Sequence, residues 1–104
     1  MELRVLAVPD CPHLSLLLGR LAQVLPEGAR EVPVRVVTTE AEAARLGMHG
    51  SPTLLVDGLD PFAPRDAPTG VACRVYRAAD GHAEGAPSMG QLASALERAG
   101  MVRG

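Results

Sequence analysis

Short apolar runs alternate with amphipathic stretches along this chain. Leu3 to Val8 (LRVLAV) is almost continuously apolar, which predicts a strand covered on both faces. Pro9-Asp10-Cys11-Pro12 ends it. Leu14, Leu17, Leu18, Leu21 and Leu25 then recur at three- and four-residue spacing, the apolar stripe of a helix that Pro26 stops. Pro12 suits the first helical position, where its missing N–H would have no intrahelical partner, so Cys11 is expected at the N-cap. Val32 to Thr38 sets Val32, Val34 and Val36 against Pro33 and Arg35, an edge strand with one buried face. Thr39 with Glu42 three residues on is a capping box, and the helix it opens carries Ala41, Ala44 and Leu46 before Gly47. Leu54-Leu55-Val56 is a second two-sided run, closed by the turn signal Asp57-Gly58. Residues 59–70 hold three prolines and predict a surface loop, longer than the two to about five residues usual in a hairpin. Val71 to Arg77 sets Val71, Cys73 and Val75 against Arg74 and Tyr76, a second edge strand with Cys73 on its buried face. Ser88 with Gln91 is another capping box, and Leu92, Ala95, Leu96 and Ala99 stripe the last helix up to Gly100.

The resulting order is β-α-β-α-β-β-α. Each β-α-β crossover is expected to be right-handed with parallel strands, and the last two strands, joined by a turn, antiparallel. The two-sided runs belong in the middle and the alternating ones at the edges. The expected fold class is therefore α/β: one domain over residues 1–104, with a four-stranded mixed sheet of order 2-1-3-4 and helices on both faces.

Composition narrows the function more than the fold. The chain has no Lys, Ile or Asn, and its core draws on fourteen Leu, eleven Val and sixteen Ala. The absent residues share A/T-rich codons, a signature of a high-GC genome rather than of function. Net charge is -2 and the ten Arg stand singly, which argues against a nucleic-acid footprint. No apolar run approaches the roughly 20 residues of a membrane helix. The N-terminus enters a strand at once, without the basic and apolar regions of a secretory signal, so a cytoplasmic location with reduced thiols is expected. Two cysteines are too few for a disulfide framework.

Cys11 is the first candidate for chemistry. At a helix N-terminus, unpaired N–H groups and the helix dipole stabilise a thiolate, the form that attacks disulfides. Adjacent Asp10 opposes that charge and a protonated His13 favours it. A small apolar cysteine that merely caps the helix is the alternative. Cys73, on the core face of a strand returning from the far end of the sheet, is expected to lie too far from Cys11 for the Cα separation of about 7 Å a disulfide needs. Phe62 is expected as an apolar anchor in the 59–70 loop. His13, His49 and His82 read as loop histidines, and no ligand pair of metal-site spacing accompanies them, so neither a metal nor a cofactor is assigned.

Cys11-Pro12-His13-Leu14 stands where the first strand meets the first helix, and Ser51-Pro52-Thr53 immediately precedes the second two-sided run. In these two motifs, and in element order along essentially the whole chain, the sequence resembles the thioredoxin-like superfamily. More narrowly, through Asp10-Cys11-Pro12-His13, Gly50-Ser51-Pro52-Thr53 and Asp60-Pro61-Phe62, it is similar to small bacterial single-cysteine members, some labelled alkylmercury-lyase-like. The resemblance implies a nucleophilic Cys11 flanked by Pro12 and His13 and a cis-proline at Pro52. It also implies that backbone groups around Ser51 and Thr53 pair with a substrate like an added strand. Leu14 occupies the place of the second cysteine of a dithiol motif, so resolution by that neighbouring thiol is impossible. With no Lys and no Gly-Gly pair, a glutathione groove of the glutaredoxin kind is unsupported.

The expected function is thus single-cysteine thiol-redox or thiol-transfer chemistry at Cys11, with a protein or low-molecular-weight thiol as partner. The alternatives are a non-catalytic binding module of the same fold, and the handling of mercury or another thiophilic metal. The chain is expected to act as a monomer or weak homodimer, with Val71 to Arg77 the preferred dimer edge because Pro33 and Arg35 protect the other.

Overall fold

The computed structural model describes residues 2–27, 31–64, 66–78 and 80–100. Its order is β1 (Leu3–Ala7), α1 (Leu14–Val24), β2 (Val34–Val36), α2 (Glu40–Leu46), β3 (His49–Ser51), β4 (Thr53–Val56), β5 (Gly70–Cys73), β6 (Tyr76–Arg77), β7 (Ala83–Glu84) and α3 (Met89–Arg98). The main sheet has three strands in the order β2-β1-β4. The apolar run Leu3–Ala7 lies in its centre, as its two-sided pattern requires: Val5 is in register with Val34 on the parallel side and with Leu54 on the antiparallel side.

The helices pack on both faces. On one face Leu17, Leu21 and Leu25 from α1 and its C-cap meet Leu92 and Leu96 of α3 over Leu3, Val5, Leu54 and Val56. On the other, Ala43 of α2 and Met48 cover Leu6, Val37 and Leu55. The helix ends follow their local chemistry. In α3 the Ser88 hydroxyl accepts from Gln91 N–H while the Gln91 side chain accepts from Ser88 N–H, closing the capping box. In α2 the Thr39 hydroxyl accepts from Glu42 N–H, but the Glu42 carboxylate turns to Thr38 N–H and Arg35. Gly47, at φ 80°, supplies the left-handed C-cap. Among the described residues no helix is long and apolar enough to cross a membrane.

Four expectations are corrected. The sheet has three strands, not four, and the segment 71–77 is not its edge. That segment splits: β5 pairs in parallel with β3, and β6 pairs antiparallel with β7. Asp57 and Gly58, at φ 51° and 81°, do form a tight turn between Val56 and Leu59. The returning chain leaves the ladder at once, because Pro61 and Pro64 cannot donate to it and Asp60 is drawn into an ion pair with Arg74. The strand expected at 54–56 runs antiparallel to β1, since β4 begins with Thr53 beside Leu6, at the end where β2 finishes.

The predicted stripes also shift on the short elements. Val34 and Val36 are 39% and 52% exposed, and Val37 is buried in their place. In α2, Ala43 faces the core while Ala41 and Ala44 are exposed. With three and seven residues, these elements are too short for alternation or a helical stripe to fix the buried face. Finally, Cys73 is exposed, not buried.

Candidate functional site

Because β4 starts where β1 and β2 end, three chain breaks gather at one end of the sheet: the β1–α1 connection, the β2–α2 connection and the step from β3 to β4. The first carries Cys11. Cys11 N–H donates to Val8 C=O (3.3 Å) and Leu14 N–H donates to Cys11 C=O (3.3 Å), so two consecutive turns bridge strand and helix. Pro9 and Asp10 form the centre of the first turn, Asp10 at φ 57°, a conformation Asp tolerates better than most residues. Pro12 and His13 form the centre of the second. The N-cap of α1 is accordingly His13, whose side chain makes no capping bond, and not Cys11. Pro12 holds the second position of a turn, for which its fixed φ is equally suited. The Cys11 thiol is free and half-buried, and Pro12 is exposed.

The third break carries Ser51-Pro52, a cis peptide bond. It is fastened to the first by the Ser51 hydroxyl, which accepts from Val8 N–H at 3.0 Å. The expectation of open backbone groups here is corrected. Ser51, Pro52 and Thr53 are all buried. The Ser51 carbonyl accepts from Arg74 N–H (3.0 Å), and the Pro52 carbonyl accepts from the Tyr76 hydroxyl (2.5 Å). The Thr53 hydroxyl donates to Gly50 C=O (2.6 Å) and accepts from His49 N–H and Arg74. The chain's own segment from Gly70 to Arg74 covers the edge that a substrate strand was expected to use.

That cover is held by a polar cluster that sequence reasoning missed. Asp60 and Arg74, with side chains 3% and 10% exposed, form an ion pair at 2.5 Å. The Arg74 guanidinium also lies 4.4 Å from the centre of the Tyr76 ring, a cation–π contact. Phe62 meets Tyr76 edge-on at 5.9 Å and packs on the core, which makes it the expected anchor. Asp60 further accepts from Phe62 N–H (2.8 Å), turning the loop. Burial pushes the Tyr76 phenol well above its ordinary value of 10. Arg74 opposes that rise, while Asp60 and Cys11 add to it. Among the described residues no buried side-chain N or O lacks a partner, so the cluster is fully satisfied.

The histidines do not converge. His13 packs against Gly85, so close that a Cβ there would collide with the ring. Gly85 is held in turn by the neighbouring Arg20–Glu84 ion pair (2.9 Å) and by Arg20 donating to Pro87 C=O (2.9 Å). Hydrogen bonding to Arg20 keeps the Glu84 carboxyl below its usual range. His49 Nδ1 is 3.1 Å from Pro68 C=O, and His82 sits exposed in the β6–β7 turn. Among the described residues no three His, Cys, Asp or Glu side chains gather as a metal site would require.

One open groove of about 410 Å³ lies beside the Cys11 turn, lined by His13, Leu16, Cys73, Val75 and Gly85 among others. Cys73 is also the register partner of Ser51. The structure thus places Cys11, Pro12, His13, Ser51, Pro52 and Thr53 at one end of the sheet, with Cys73 beside them. Chemically, this end offers one half-buried and one exposed thiol, an imidazole and an apolar groove. Comparison with protein-family models, with curated proteins and with solved structures finds no match to this chain.

Proposed function

We propose that this chain is a small thioredoxin-like protein whose Cys11 carries thiol-disulfide exchange with a low-molecular-weight or protein disulfide. The observation that carries this reading is the cis Ser51-Pro52 bond fastened, through Val8, to the turn that bears a free, half-buried Cys11. The Cys11 thiolate attacks one sulfur of a disulfide. A Cys11–S–S–R bond forms, the second sulfur leaves as a thiolate, and an incoming thiol later releases Cys11. Pro12 fixes the turn that presents the thiol, and His13 lines the adjoining groove.

The test uses Cys73→Ser, in which Cys11 is the single thiol. Incubation with a small aromatic disulfide is expected to give a chain carrying one mixed disulfide, removed again by an added thiol. A chain whose Cys11 stays free in the folded state contradicts the proposal. A second reading, a non-catalytic binding module, draws support from the carbonyls of Ser51 and Pro52, which are already taken by Arg74 N–H and the Tyr76 hydroxyl and so do not pair with a substrate strand. The same experiment separates the two readings, because the binding module needs no reactive thiol.

A further inference from the structure

Sequence logic leaves Cys73 outside the site, as a buried residue on a distant strand. In the structure three separate observations place it at the site instead. Cys73 is exposed, and it faces Ser51 across the β3–β5 ladder, one residue from the cis proline. It lines the same groove as His13, two residues beyond Cys11. Tyr76, three residues beyond Cys73, donates to the carbonyl of the cis proline, Pro52. The links between the two thiols are few: Cys11 N–H to Val8 C=O, Val8 N–H to the Ser51 hydroxyl, and the Ser51–Cys73 register pair. The ladder that holds Cys73 is short and shifts register between His49 and Ser51.

We infer that Cys73 is the resolving thiol of this site, closing an intramolecular disulfide with Cys11 after Cys11 has reacted with a disulfide substrate. The inference rests on the nucleophilic role proposed for Cys11. Cys11 thiolate attacks RSSR, giving Cys11–S–S–R and RS⁻. Cys73 loses its proton to solvent and attacks the Cys11 sulfur, giving Cys11–S–S–Cys73 and a second RS⁻. Both thiolates take up protons as RSH, so the chain loses two hydrogens and the disulfide substrate is reduced to two thiols. Closure requires the two Cα atoms to lie within about 7 Å in the oxidised chain. The role left vacant by Leu14 thereby passes to a residue far along the chain.

The experiment compares intact masses of wild type, Cys73→Ser and Cys11→Ser after exposure to the same small aromatic disulfide, followed by peptide mapping under non-reducing conditions. Wild type is expected to lose two hydrogens, carry no adduct and yield a Cys11–Cys73 linked peptide. Cys73→Ser is expected to accumulate the Cys11 adduct as its main product. An adduct on Cys11 that persists equally in wild type and Cys73→Ser overturns the resolving role and leaves the Cys11 chemistry standing. Disulfide-linked dimers as the main wild-type product overturn it as well. An unmodified Cys11 in folded Cys73→Ser overturns the nucleophile proposal and this inference with it. Circular dichroism of each variant confirms that the comparison is made between folded chains.

Discussion

At the scale of single residues, the site is organised by side chains whose importance lies in what they touch. Asp60 and Arg74 have no distinguishing local pattern: one is a loop acid, the other an outward position on an expected edge strand. Only the folded chain shows their side chains paired and shielded from solvent, with the Arg74 guanidinium over the Tyr76 ring. Removing one partner leaves the other's charge without compensation. Asp60→Ala is therefore expected to lower stability by about 3 kcal/mol in urea unfolding. A loss below a few tenths would mean that the pair does not hold the segment around Arg74 in place. Gly85 is a second such residue. A Cβ there meets the His13 ring, so Gly85→Ala is expected to cost about 1–3 kcal/mol. In His13→Ala the same substitution becomes nearly neutral. Equal costs in the two backgrounds would contradict the contact.

At the scale of elements, legibility followed length. The eleven residues of α1 and the ten of α3 carry enough turns for a leucine stripe to fix both the helix and its buried face. Capping at Thr39 and Ser88 was readable because both bonds are local. The central place of Leu3–Ala7 was equally plain, since a strand buried on two faces has no polar alternation. Short strands carry less information. Three residues at Val34–Val36 cannot distinguish one face from the other, and alternation says nothing about strand direction or partner. The segment 71–77 looked like one strand because its apolar residues alternate. Arg74, between its two halves, instead donates to Ser51 C=O and pairs with Asp60, and the ladder changes partner there.

The same segment gives a pH prediction. The Tyr76 phenol is raised above its unfolded value of 10, first by burial, so the folded chain holds this proton more tightly than the unfolded one. That contribution to stability is complete below pH 10 and is lost as pH rises above it toward the folded value. Tyr76→Phe is expected to be less stable at neutral pH by about 1–2 kcal/mol, because the Pro52 carbonyl loses its donor. The variant is also expected to fall less steeply above pH 10. Parallel alkaline stability curves for the two proteins would contradict this.

At the scale of the whole molecule, one topological fact builds the site. β4 enters the sheet beside the C-terminal end of β1, so the Cys11 turn and Ser51-Pro52 share that end. The motif positions of Cys11-Pro12 and Ser51-Pro52-Thr53 were legible because each sits at the edge of an apolar run. The crossing of residues 70–74 over Ser51 was not, since it depends on long-range pairing through a proline-rich loop. That crossing moves Cys73 from a presumed core strand to the surface beside the site.

The proposed chemistry requires that the fold make Cys11 a working nucleophile. Its most direct test is the rate at which the single thiol of Cys73→Ser reacts with a small disulfide at neutral pH, in the folded protein and in the same chain unfolded by urea, after correction for the effect of urea on a free thiol. Faster reaction is expected in the folded chain. Equal or slower reaction would contradict it, leaving Cys11 as no more than a cysteine in a turn.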